Sequence, residues 1–114
     1  MFVYIRKIGP AVLLLGIFVA FTMKTARPAS PPANSEVKID NFTFNAPTLT
    51  VPVGAEVTWT NRDDIPHTVT SEDGVFRSKA LDTDEKFSYK FEKAGTYHYF
   101  CSIHPKMTAE VVVK

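Results

Sequence analysis

From Glu36 to Lys114 no stretch places apolar residues at helical spacing; short runs alternate instead, separated by turn residues. Val37 and Ile39 lead, through an irregularity near Asp40-Asn41, to Phe42 and Phe44 in a first strand. Leu49, Val51 and Val53 alternate, and Pro52 marks an edge or bend. Gly54 turns the chain into Val57 and Trp59, and Thr68 to Thr70 forms a short strand after Pro66. Phe87, Tyr89 and Phe91 alternate with Ser88 and Lys90, and residues 92–95 (EKAG) make a turn. Tyr97, Tyr99 and Cys101 share one face of the next strand, and Val111 to Val113 close the chain. About seven short strands at this spacing predict an all-β domain, a two-sheet Greek-key β-sandwich. Residues 71–85 predict a polar, irregular crossing loop with room for one helical turn.

The residues before Glu36 have a different character. Arg6 and Lys7 precede an eleven-residue apolar run from Ala11 to Phe21, the length of the apolar part of a secretory signal. A spanning helix needs about 20 apolar residues. Even 8–23 gives only sixteen, interrupted by Pro10 and Gly16. Residues 1–24 therefore predict a cleaved signal peptide or, failing cleavage at the poor Ala20-Phe21-Thr22 site, a membrane anchor through 8–23. Residues 25–35 (TARPASPPANS) bury too little apolar surface to offset their ordering entropy, which predicts a solvated, Pro-rich linker. The folded domain is expected to be 36–114, working in the periplasm or otherwise outside the cytoplasmic membrane.

Charge narrows the partners. The net charge is only +1, but four of the thirteen Lys and Arg precede Ser30 and all twelve acids follow it, leaving the folded part at net −3. That balance argues against a basic nucleic-acid face. The single cysteine excludes an intramolecular disulfide and any four-cysteine metal site.

Cys101-Ser102-Ile103-His104-Pro105-Lys106-Met107 reads C-x2-H-x2-M at the end of a strand. A tight loop there can turn a thiolate, an imidazole and a thioether toward one point. Such soft donors select copper over magnesium, calcium or manganese, and a second imidazole completes a His2Cys plane with an axial Met. His67, at the start of a strand, can supply it, since distant strands of a sandwich can meet at one end. With three His and three Met in the chain, His at +3 and Met at +6 from a lone Cys arises by accident roughly once in 1,500. His98 lies three residues before Cys101, so strand alternation sends it to the opposite, solvent-facing side.

Over about 36–114 the sequence resembles the cupredoxins, the type I blue copper proteins, of the short-loop kind. The resemblance rests on residues 61–67 (NRDDIPH), on 95–101 (GTYHYFC) and on the seven-residue loop, with two residues between His104 and Met107. It implies one copper ion, Cu(II)/Cu(I), held by His67, Cys101, His104 and Met107. It also implies that Asn61 joins the two halves of the site near the Cys101 sulfur. Ala109 departs from the family, where a glycine commonly stands two residues after the Met.

The function expected is one-electron transfer, not enzymatic catalysis. Asn61 and the backbone near Ser102 are expected to donate toward the sulfur and tune the potential, with Pro66 beside them. His104 is expected at the surface among Ile65, Pro66, Ile103 and Pro105, an apolar patch suited to brief docking of redox partners of the dehydrogenase or cytochrome c type. A monomer is expected. Trp59 reads as core filler and the acids Asp82, Asp84 and Glu85 as a solvated loop. The rival readings are a non-redox copper carrier with the same residues and an enzyme with a Cys101–His nucleophile pair, for which no orienting partner is evident.

Overall fold

The computed structural model describes residues 3, 9, 15–22 and 34–114. The signal, anchor and linker expected over 1–35 lie for the most part outside the described residues. The described part of the apolar run carries no helix, and Leu15, Ile17, Phe18, Val19 and Phe21 are exposed. Among the described residues no helix is long and apolar enough to cross a membrane.

Eight strands form two four-stranded sheets: β1 (Ser35–Asp40), β2 (Thr43–Phe44), β3 (Thr48–Val51), β4 (Glu56–Asn61), β5 (Thr70–Ser71), β6 (Lys86–Lys90), β7 (Gly95–Phe100) and β8 (Thr108–Val113). One sheet has the order β2-β1-β4-β6 and the other β3-β8-β7-β5. Both are mixed: β1 runs parallel to β4 and β3 parallel to β8, while the remaining neighbours are antiparallel. This is the all-β sandwich the alternation predicts. The inward residues of both sheets fill one core, with Val37, Ile39, Val57 and Trp59 facing Tyr99, Val111 and Val113. Each such side chain stabilises the fold by about 1.5–3 kcal/mol.

Trp59 is wholly buried among Phe76, Phe87, Phe91 and Tyr99, the filler role its sequence position predicts. The Tyr99 hydroxyl faces the Trp59 indole N–H without reaching hydrogen-bond geometry, and burial pushes the phenol up to about 12.

Three local expectations are corrected. Phe42 is not part of a strand with an irregularity. Asn41 and Phe42 form a two-residue hairpin turn between β1 and β2, both with positive φ, and Phe42 is half exposed. Val53 is exposed as well, because β3 ends at Val51 and Ala55 takes the inward place beyond the Gly54 turn. Residues 71–85 contain no helical turn. Phe76 and Leu81 are buried and pin that segment to the core, and Leu81 pairs with His67 through a backbone bridge. That bridge fixes one side of the pole at which β7 ends.

Candidate metal centre

Cys101 follows β7 directly, on the face already set by Tyr97 and Tyr99, so its thiol arrives wholly buried. The next six residues fold back tightly. The Cys101 amide donates to the Met107 carbonyl at 3.0 Å, and the Met107 amide donates to the His104 carbonyl at 2.9 Å. Two backbone bonds thus close the loop before β8 begins.

His67 reaches the same pole from the other side. Its amide donates to Leu81 O at 3.1 Å and its carbonyl accepts from Leu81 N at 2.7 Å. The ring is wholly buried, and Nε2 lies 2.7 Å from Asp63 Oδ2. Burial pushes the Asp63 carboxyl up, but hydrogen bonds from the Phe42 amide, the His67 ring and the Asn41 amide outweigh it and hold it below its ordinary value. Asp63 is therefore a carboxylate, which only accepts, so Nε2 donates to it and Nδ1 is the ring nitrogen left to face the Cys101 sulfur.

That Nδ1 stands 3.6 Å from Cys101 Sγ. With a metal–sulfur bond of about 2.3 Å and a metal–nitrogen bond of about 2.0 Å, donors on one tetrahedral or trigonal ion are roughly 3.5–3.7 Å apart. The His67 and His104 ring centres are 5.3 Å apart, and two imidazoles sharing one ion have centres roughly 5 Å apart. Met107 is buried beside them, and His104 is partly exposed. Among the described residues no three His, Cys, Asp or Glu side chains form a complete cluster by themselves. Cys101 and His67 are thus the pair already at ligand spacing, with His104 and Met107 on the loop beside it.

The other expected residues take varied places. The hydrogen-bond donor to the Cys101 sulfur is the Thr68 amide, at 3.4 Å. Asn61 does join two segments, but its amide donates to Ile65 O and Leu81 O, both at 2.8 Å, and its oxygen accepts from the Asp63 amide. The Ser102 amide donates to Thr68 Oγ1 at 2.7 Å and not to the sulfur. His98 is on the outer face, 3.4 Å from Glu110, as alternation predicts. A cavity of about 480 Å³ is lined by Phe42, Ile103, His104, Pro105, Lys106 and Met107. Ile65 and Pro66, expected in that patch, do not line it.

Three contributors escaped the sequence reading: Asp63, Thr68 and Phe42. Asp63 Oδ1 accepts from the Asn41 amide at 2.6 Å and Oδ2 from the Phe42 amide at 2.9 Å. Those two residues sit at φ 50° and 57°, a conformation that costs a side-chain-bearing residue roughly 1–2 kcal/mol. The Phe42 ring meets His67 and His104 edge-on, at 5.6 and 5.1 Å between centres. The signal available for Asp63 was its position four residues before His67, weak outside a helix.

Comparison with known proteins bears on the family and the fold. A cupredoxin-like domain family matches residues 12–113. Amicyanin-alpha of Methylorubrum extorquens is 36% identical over 90 residues, 75% of this chain and 76% of the relative. Among solved structures, an amicyanin variant in its reduced Cu(I) form at pH 4 superposes with a TM-score of 0.68 at 35% identity, covering 71% of this chain and 82% of that one. A purple cupredoxin from Nitrosopumilus maritimus gives 0.65 at 33% identity, covering 70% and 99%. On the fold, the strand-end loop and these matches together, the chain belongs to the cupredoxin-like family and is, within it, most like amicyanin.

Proposed function

We propose that the chain is a blue copper electron carrier, with one copper ion held by His67, Cys101, His104 and Met107. The observation that carries this reading is the 3.6 Å spacing of Cys101 Sγ and His67 Nδ1, with the second ring nitrogen committed to Asp63. A thiolate, a thioether and two imidazoles form a soft donor set suited to copper. Copper bound there supplies the one-electron change between Cu(II) and Cu(I).

The chain contributes fixed positions. Cys101 is held by its own amide, bonded to Met107, and by the Thr68 amide on its sulfur. His67 is fixed at its backbone by Leu81 and at its ring by Asp63. Donors that cannot relax make the two oxidation states share nearly one geometry, which keeps the reorganisation on electron exchange small. His104, with exposed Ile103 and Pro105, offers an imidazole edge in an apolar setting. That surface suits brief, low-area docking of a redox partner, a dehydrogenase or a cytochrome c. His98 lies away with Glu110, out of reach of this pole, so we read the chain as a carrier and not an enzyme. In this reading 1–24 is a signal or anchor, 25–35 a tether and 36–114 the copper domain, a monomer working outside the cytoplasmic membrane.

The test is titration of the chain with Cu(II), followed by visible and EPR spectroscopy. The expected result is an intense blue thiolate–copper band saturating at one equivalent, absent in Cys101→Ser and reversibly bleached by reductant. A colourless protein with ordinary tetragonal copper signals overturns the reading. Colour without reversible reduction leaves a non-redox copper carrier.

A further inference from the structure

Building on the copper-carrier reading, we propose that Phe42 is a positioning residue of the centre, an aromatic cap over both imidazoles, and that Asp63 holds the cap in place. Phe42 does not owe its position to burial, since its side chain is half exposed at a hairpin tip. Nor does local preference place it there. Two-residue hairpin turns of this hand favour Asn-Gly, and a bulky residue with positive φ is an outlier. Asn41 suits the first place; Phe42 does not suit the second. The turn is held by the two hydrogen bonds from its amides to one carboxylate, Asp63, which also binds the His67 ring. One side chain therefore fixes the inner imidazole and the aromatic ring that covers it.

The same ring also abuts His104, whose segment is otherwise closed by two backbone bonds. Phe42 lines the cavity with His104 and Met107, on the side where water and competing ligands approach. Its edge contact limits rotation of the His104 ring and excludes water from it. The cap thereby slows release of the ion through the one donor that faces solvent.

The test compares the copper-loaded wild-type chain with Phe42→Ala, Phe42→Tyr and Asp63→Asn. Two quantities are read: the rate of copper loss to an excess of chelator, and the NMR shifts of the His104 ring protons in the metal-free chain. Phe42→Ala is expected to lose copper about tenfold faster and to lose the ring-current displacement of the His104 protons. Phe42→Tyr keeps the wild-type rate. Asp63→Asn behaves like Phe42→Ala, because it weakens the hydrogen bonds that hold Phe42 in the left-handed turn. Should Asp63→Asn fail to fold, the two Phe42 variants decide alone. A wild-type chain with the blue band whose Phe42→Ala form keeps the wild-type release rate and His104 shifts overturns the cap and leaves the copper centre standing. A wild-type chain with no thiolate band overturns the copper reading, and the cap with it.

Discussion

The two imidazoles of the proposed centre, His67 and His104, are held in opposite ways. His67 is wholly buried, bridged to Leu81 through both backbone groups and tied at Nε2 to a carboxylate. His104 is partly exposed, on a loop closed by two backbone bonds and covered by a half-exposed aromatic ring. The difference divides the labour of the site. The inner half belongs to the folded structure and is set when the sandwich forms. The outer half lies at the surface, where its side chains are expected to contribute little to stability.

The largest expected effect separates the halves in the metal-free chain. His67→Ala leaves a cavity and a buried carboxylate short of one hydrogen bond, and should cost about 2–4 kcal/mol in denaturant unfolding. His104→Ala should change stability by less than about 0.5 kcal/mol. Equal losses would break the comparison.

A pH series sharpens it. The folded-state Asp63 carboxyl lies below its ordinary value. Its stabilising contribution is therefore present above the unfolded value, about 3.9, and is lost as pH falls through the folded one. Metal-free wild type should lose stability on acidification below about pH 4, and Asp63→Asn should show a shallower loss. Parallel acid unfolding curves for the two would remove Asp63 from the inner half.

Thr68 joins the halves, since its hydroxyl accepts from the Ser102 amide and lies 2.8 Å from Ser102 Oγ. Thr68→Val leaves that amide unpaired and should cost about 1 kcal/mol, read by thermal unfolding. The smallest effect falls on the surface. Among the described residues Lys106 forms no ion pair, and it lines the cavity beside His104. Two copies meeting at this face bring like charges together. Lys106→Gln should speed electron self-exchange by about twofold to threefold at low salt, and not at all at high salt.

The parts of this arrangement visible in the sequence follow from short-range periodicity. Tyr97, Tyr99 and Cys101 fall on one face and His98 on the other because a strand repeats every two residues. The spacing of Cys101, His104 and Met107 is fixed by the loop that carries them. The parts not visible depend on turns and on the backbone. Phe42 sits in an apolar alternating run, so pattern alone assigns it to a strand; only the Asp63 carboxylate makes the left-handed turn. The donor to the Cys101 sulfur is a main-chain N–H, which every residue but proline carries, so no residue type announces it. Asn61 was legible as a clasp, yet its partners, Ile65 and Leu81 carbonyls, were not.

X-ray absorption of the copper-loaded chain addresses the shared ion most directly. A sulfur and two imidazole nitrogens in one shell around the metal, with the sulfur lost in Cys101→Ser and one imidazole lost in His67→Gly, is the predicted result. A shell of nitrogen and oxygen alone, unchanged in both variants, would contradict it.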